Sequence, residues 1–367
     1  MKVIRPFIPA LLPPKLDYVS FLSELSRARG GLGEFNGALR SIKNPQLISA
    51  PLITKEAVFS SQIEGTQASL EDVYRIEALG NEAQDTELEK DVREISNYRI
   101  AVQEAVNKLT KLPISTRLIR TLHSILLDSV RGANKDRGSY RKIQVFIGSK
   151  GATIEKATFV PPAANEIHGL MSNWEEYVNG NEEMDPLIIA GVAHYQFEAI
   201  HPFLDGNGRI GRILIPLILY DQKILSYPSL FISQYFEENR IEYYRKLNGV
   251  STKGDFSEWM KFFLDGVYQT SARALELVTR IHDLYDELLP LSLKISQANG
   301  KTIQDLLFDS PLISFKKIKH LSPDMNIQTV YNLLSRYEEK GIISEITGYK
   351  RNRVYRFEKL IKILVNI

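Results

Sequence analysis

Twelve consecutive residues, His201-Pro202-Phe203-Leu204-Asp205-Gly206-Asn207-Gly208-Arg209-Ile210-Gly211-Arg212, bring together every group type that phosphate chemistry needs. Gly206 and Gly208 let backbone amides turn towards an anion, and a helix beginning near Asn207 would aim its positive end at the same point. Arg209 and Arg212, three apart on the first turn, can both reach further phosphate oxygens. Asp205 offers the hard carboxylate oxygen that Mg2+ takes alongside phosphates. His201 is a candidate general base, since an unperturbed pKa of about 6.5 leaves the ring mostly neutral at physiological pH. The predicted chemistry is transfer on a bound polyphosphate.

Gly206-x-Gly208-x-x-Gly211 also has the spacing of a dinucleotide-binding fingerprint, but that fingerprint needs a strand before its glycines. Here Ile188, Val192 and Tyr195 precede it on one helical face. No P-loop signature occurs, which argues against a Walker-type ATPase. With no cysteine, the chain has no disulfides, thiolate zinc sites or thiol nucleophiles. His123, His168, His194, His282 and His320 are scattered, with no pair spaced for a zinc helix, and His194 reads as a packed neighbour of the site.

The elements that must position these residues are mainly helical. Apolar residues recur at helical spacing over Glu87–Leu109, Ile114–Ser129, Ala163–Tyr177 and Pro186–Ile200. Leu16–Ile42 reads as two helices around a break at Gly30, Gly31 and Gly33. A helix from Thr54 stops at Gly65, which places Glu64 in its last turn, facing the unfavourable end of the helix dipole and in need of a partner. Lys142–Val160 departs from the helical pattern: QVFIG and TIEKATFV flank Ser149-Lys150-Gly151 and predict a β-hairpin with an open edge. Helical spacing resumes through Tyr244 and over Phe256–Leu289, and LLPLSLKISQANG reads as a domain boundary.

The chain has 367 residues, 44% hydrophobic and 25% charged, enough for two or three domains. Lys plus Arg number 46 against 44 Asp plus Glu, a net charge of +2, so any basic function must be local. The longest apolar run, Ile213–Tyr220, contains Pro216 and falls far below the roughly 18 residues of a membrane span. Pro6, Pro9, Pro13 and Pro14 interrupt any secretory signal. A cytoplasmic protein without membrane contact is expected.

HPFLDGNGRIGR resembles the signature motif of the Fic family, whose members mostly transfer AMP from ATP to protein hydroxyls, and the similarity extends over about 114–247. The resemblance implies that His201 deprotonates the target hydroxyl. Asp205 would hold Mg2+ between the α- and β-phosphates, and Gly206, Asn207 and Gly208 would bind those phosphates. Arg209 and Arg212 would neutralise the β- and γ-phosphates, with Ile210 and Gly211 completing the ATP-binding stretch. The hairpin resembles the family's flap, with Val145, Phe146, Ile147, Thr158 and Phe159 docking the target segment by main-chain pairing; a simple packing hairpin is the alternative. Asn239 in ENRIEYY matches a residue near the adenine, a helix cap being the alternative. Ser60-Ser61-Gln62-Ile63-Glu64-Gly65 resembles the family's inhibitory motif, marked by Ser60, Glu64 and Gly65. In that family the glutamate pairs with the second motif arginine, here Arg212, and takes the donors that the γ-phosphate needs. A solvated helix-end charge is the alternative for Glu64.

Residues 296–367 carry 12 Lys plus Arg against 7 Asp plus Glu, a local surplus of +5. Helical patterns at Lys301–Phe308, Ser314–Leu321 and Ile327–Lys340, then IISEIT and RVYRFE, predict a winged helix-turn-helix. Gln328, Thr329, Asn332 and Arg336 would face a DNA groove, with Lys350, Arg351 and Arg353 on phosphates. The expected architecture is therefore mainly α. An N-terminal helical region, 1–110, carries the inhibitory helix 54–65; a Fic-type core with a β-hairpin flap spans 111–289; a winged-helix domain spans 296–367. The expected activity moves AMP from the co-substrate ATP, with Mg2+, to Tyr, Ser or Thr of target proteins and of the chain itself, releasing pyrophosphate. By similarity the chain would form a homodimer. Two other functions stay open: a DNA-binding regulator whose core senses nucleotide, and removal of AMP at the same site with Glu64 positioning water.

Overall fold

Residues Leu22–Ser41 form one unbroken helix, α1, where the glycines predict a break. The computed structural model describes residues 6–42, 45–80, 86–130, 135–148, 151, 153–180, 183–349 and 352–366. Gly31 serves packing: α1 lies along the 40-residue helix α11 (Phe256–Ile295), and a Cβ on Gly31 would meet the Tyr268 ring at 3.2 Å, whereas one on Gly30 or Gly33 would meet nothing within 4 Å. Burial of Ala28, Leu32, Phe35 and Leu39 offsets the roughly 1 kcal/mol that each helical glycine costs.

Helix α2 (Pro45–Ile63) starts nine residues before the predicted Thr54, tolerates Pro51, and is buried nearly all round. It touches α4, α8, α9 and α12, defined below, and of its buried polar side chains Glu56 and Ser60 are hydrogen-bonded there. Helices α3 (Leu70–Leu79) and α4 (Glu87–Leu109) both open on capping boxes, Ser69 with Asp72 and Thr86 with Glu89. The core continues with α5 (Thr116–Leu126), α6 (Ile167–Asn179), α7 (Pro186–Ile200) and α8 (Asn207–Asp221). Asp185 caps α7 through the Leu187 amide, with Pro186 at the first helical position. Short α9 (Ser233–Glu238) and α10 (Arg240–Lys253) lead into α11.

Two further expectations need correction. The flap between α5 and α6 is not a regular hairpin: among its described residues the pairing is one antiparallel bridge, Ile147 with Phe159, plus a 3-10 turn at Ile154–Lys156. Ser149 and Lys150 of its loop lie outside the described residues. No other strand flanks it among the described residues, so alternation alone does not build a ladder there. LLPLSLKI, read as a boundary loop, instead continues α11 through Pro290 to Ile295.

The C-terminal part runs α12 (Gly300–Asp309), β1 (Leu312–Ser314), α13 (Phe315–Leu321), α14 (Ile327–Glu339), β2 (Ser344–Glu345), β3 (Val354–Arg356) and α15 (Glu358–Val365). Its antiparallel sheet has the order β1-β3-β2, with Ile313 and Glu345 both opposite Tyr355. β1 and α15 had no counterpart in the sequence reading. This part sits against the N-terminal helices: the Ser314 hydroxyl donates to Ala78 O at 2.6 Å, Lys317 pairs with Glu77 and Arg356 with Glu71. Those pairs take up part of the tail's basic surplus.

Candidate active site

The turn between α7 and α8 is built by its own side chains. Asn207 accepts from the Phe203 amide at 2.8 Å and donates to the Phe203 carbonyl at 2.9 Å, so its side chain holds the turn and is not free for a phosphate. Gly206 adopts φ 76°, ψ 6° as the residue before α8, and Asp205 accepts the Gly206 amide at 2.7 Å. His123 stacks on Phe203 with ring centroids 3.8 Å apart. Its Nδ1 accepts the Gly138 amide, so its Nε2–H donates to Asp205 O at 2.9 Å. Burial pushes its pKa down to about 4, which keeps the ring neutral in this role.

His201 ends α7 in the left-handed region, φ 50° and ψ 60°, which costs a residue with a Cβ about 1–2 kcal/mol. Burial pushes its pKa down to about 4, with the Arg141 charge adding and Glu64 and Asp205 opposing. Both motif arginines are buried and paired. Arg209 donates to Glu94 at 2.8 Å and lies 3.6 Å from Asp205. Arg212, 1% exposed, donates Nε to the Ser60 hydroxyl at 2.9 Å and Nη2 to Ser60 O at 2.8 Å and to Glu64 Oε1 at 2.7 Å. Burial drives the Glu64 carboxyl up, but the charge and hydrogen bond of Arg212 outweigh it and the net direction is down. Burial likewise works against the Arg212 charge, and Glu64 reverses that too.

Glu64 follows the end of α2, with Gly65 at φ +100° after it, and its carboxylate lies over the first turn of α8. A Cβ on Gly208 would stand 2.3 Å from Glu64 Oε1 and 2.8 Å from Arg212 Nη1. The amides of a helix's first turn have no partner inside the helix, so this is where an anion binds best. A carboxylate already occupies the mouth of that cradle.

Beside the turn a cleft of about 490 Å3 opens between the flap and α10, lined by Ile147, Phe159, Glu198, Tyr244, Leu247 and Ser251 among others. Burial raises the Glu198 carboxyl to about 7. Asn239 lies outside this cleft: it closes α9 by donating to Tyr235 O at 3.0 Å and lines a separate depression with Glu24, Arg27 and Asp265. Of the flap residues, Ile147, Thr158 and Phe159 line the cleft, whereas Val145 and Phe146 do not.

Residues 22–107 match the Fic/DOC family N-terminal domain and residues 113–219 match the Fic/DOC family domain, together more than half of the chain. The chain belongs to the Fic/DOC family. Protein adenylyltransferase Fic of Drosophila mojavensis is 28% identical over 269 residues, covering 69% of this chain and 46% of that protein. Its namesake in Drosophila grimshawi is 30% identical over 165 residues, 44% of this chain and 30% of that protein. The match thus spans less than half the length of either relative. A Fic family protein from Desulfovibrio desulfuricans shares the fold along 94% of this chain and 98% of its own, with a TM-score of 0.58 and 19% identity. Fic-1 of C. elegans covers 70% of this chain and 72% of its own, with a TM-score of 0.54 and 22% identity.

Within this Fic fold, His201, Asp205, Gly206, Gly208, Arg209, Arg212, Ser60 and Glu64 converge on one turn. Ile210 and Gly211 instead face inward on α8: Ile210 is core, and a Cβ on Gly211 would lie 2.3 Å from Glu198 Oε1, so α8 can approach α7 closely. His194 joins Gly211 O at 3.0 Å to the Tyr243 hydroxyl at 2.8 Å. Glu94, Arg141 and Glu198 were missed by the sequence reading. Glu94 meets its arginine across 115 residues of chain, a separation that no local motif reveals.

Proposed function

We propose that the chain is a protein adenylyltransferase held at rest by Glu64. The observation that carries this reading is the Glu64 carboxylate paired with Arg212 at 2.7 Å over the first turn of α8, where a phosphate would otherwise sit. With Glu64 displaced, Arg212 is free to meet the γ-phosphate of ATP while the α8 amides take the phosphates below it. His201, neutral at physiological pH, accepts the proton of the target hydroxyl as its oxygen attacks the α-phosphorus. The bond from that phosphorus to the β-phosphate oxygen breaks, and pyrophosphate leaves.

Asp205 suits a Mg2+ ion held jointly with phosphates: its carboxylate is 37% exposed beside the cradle, and among the described residues no cluster of three metal-binding side chains competes with it. When bound, the ion supplies charge neutralisation on the leaving pyrophosphate. The flap, with Ile147 and Phe159 already in bridge register, offers main-chain groups to an extended target segment.

The test compares ATP labelled at the α- or the γ-phosphate, with target present. Covalent label is expected from the α-position only and is abolished by His201→Ala; label from the γ-position alone would make the reaction phosphorylation and end this reading.

A second reading concerns the C-terminal part. Its order of helix, strand, two helices and two strands suits a winged helix, and Gln328, Asn332 and Arg336 are exposed on α14. Lys350 and Arg351 lie outside the described residues. DNA binding by this face predicts retardation of a duplex that weakens with added salt and is lost in Arg336→Glu. No retardation at low salt ends that reading.

A further inference from the structure

Arg141 lies just before the flap, is 2% exposed, and has no carboxylate partner among the described residues. Its donors all go to backbone carbonyls. Nε donates to His201 O at 2.9 Å, and Nη2 to Ile200 O at 3.4 Å and to Pro162 O at 2.6 Å. Nη1 donates to Ile143 O at 3.0 Å, and the Arg141 amide donates to Pro202 O at 2.9 Å. Burial without an acid pulls its pKa down, the mark of an uncompensated desolvation.

Those acceptors form two groups. Ile143 and Pro162 are the two feet of the flap. Ile200, His201 and Pro202 are the end of α7 and the catalytic turn, where the last carbonyls of a helix lack intrahelical partners and a cation is favoured. One planar fork therefore joins both flap feet to the carbonyl of the residue read as the base. The same contacts hold His201 in its left-handed conformation, which it would not keep without support.

We infer that Arg141 is a positioning residue that locks the flap feet and the catalytic turn into one unit, so that the target hydroxyl and the His201 ring arrive in register. This rests on the reading of His201 as base. A lysine could keep the charge and the stem but not the fork, since its one ammonium cannot span carbonyls on both sides.

The experiment places Arg141→Lys and Arg141→Gln in the Glu64→Gly background. The expected result is that kcat for label transfer falls by about 10- to 100-fold while KM for ATP stays within about twofold, since orientation is lost and nucleotide binding is not. Unchanged kcat in a folded Arg141→Lys protein overturns the inference, as does a fall carried wholly by KM. Hydrogen exchange gives a readout independent of activity: peptides covering 143–148, 158–162 and 199–204 should lose protection together in Arg141→Lys, with α11 unaffected. Loosening of the flap alone, or of neither segment, overturns the link. Should neither variant fold, exchange in the unsubstituted protein under rising denaturant decides, with the three segments opening as one if the inference holds and separately if it fails. If Glu64→Gly itself transfers no label, adenylyl transfer falls as the reading, and exchange alone then decides whether Arg141 couples the two segments.

Discussion

Replacing Glu64 by glycine should raise transfer by about 30-fold, and the size of that gain follows from the site. With charge centres about 4 Å apart and an effective dielectric constant of about 20, the Glu64–Arg212 attraction is about 4 kcal/mol. Glu64 is 34% exposed, so solvent screening leaves about half, ~2 kcal/mol. At 1.36 kcal/mol per factor of ten, that leaves Arg212 free for a γ-phosphate in about one molecule in thirty, which lowers apparent affinity in the productive pose by the same factor. The assay is the initial rate of label transfer from α-labelled ATP at subsaturating nucleotide, with intact-mass measurement to count adenylyl groups. Glu64→Gln, which keeps size but loses charge, should fall between glycine and wild type. Stability should move the other way. Arg212 keeps its two Ser60 contacts but loses a charged hydrogen bond, at a cost of about 1–2 kcal/mol. Greater activity with a lower Tm separates release of a specific restraint from a general improvement in folding. A Glu64→Gly protein that is folded, binds ATP and is no more than twofold faster than wild type would refute the argument.

Gly208→Ala in the Glu64→Gly background should weaken ATP binding by about tenfold by calorimetry, because the new methyl lies 2.8 Å from Arg212 Nη1 and overpacking costs about 1–3 kcal/mol. Glu94→Ala strands the buried Arg209 charge and should lower stability by about 3–5 kcal/mol, read as a reduced urea midpoint, with Glu94→Gln milder. Between about pH 4 and 8, stability should peak at about pH 6.5 in thermal melts, with a further rise above about pH 8 where burial holds Lys55 down to about 8. Burial lowers His123 and His201 to about 4 and His194 to about 3, so the unfolded chain takes up protons first and stability is lost as pH falls below 6.5. Burial raises Glu56 and Glu198 to about 7, which gives the opposite slope between 4.5 and 7; the acid loss should therefore be shallow down to about pH 4.5 and steep below it. Transfer itself, in the Glu64→Gly protein, should persist to about pH 5, since His201 stays the proton acceptor until pH nears its value of about 4.

How much of this was legible beforehand depended on the range of the interaction concerned. Helices α4 and α7 occupy the predicted 87–109 and 186–200, because their caps, Thr86 with Glu89 and Asp185 with Pro186, are local signals. The Glu64–Arg212 pair spans 148 residues and was still legible, because two short motifs each mark one end. Glu94–Arg209 and Arg141–His201 span 115 and 60 residues, and only one end of each lies in a motif. The glycines of α1 misled for a related reason. In isolation they weaken a helix, whereas here the apolar face between them is buried on α11 and Gly31 lets Tyr268 approach, and nothing near them in the chain announces α11. The flap misled in the other direction: its alternating residues suit strands, but among the described residues there is one bridge and no neighbouring strand, so the ladder that would reward them is missing.

The position of α2 limits how the restraint can be lifted. Glu56, eight residues before Glu64, accepts the Ser233 amide at 2.9 Å and the Tyr98 hydroxyl at 3.0 Å, tying the helix to α9 and α4. Lys55 donates to Leu364 O at 3.3 Å, which ties it to α15. Arg240 donates to Ile63 O at 2.6 Å, clamping its last turn. Moving α2 as a body would break all of these and expose a helix that is buried nearly all round. By contrast, Glu64 is one-third exposed, comes after the last α2 residue, and is followed by Gly65 at positive φ, so its side chain can swing away while Ile63 and everything before it stay in place. The restraint is thus weak enough to be displaced and its support rigid enough to restore it, which is why the Glu64→Gly gain should approach the strength of one ion pair and not that of a refolded domain.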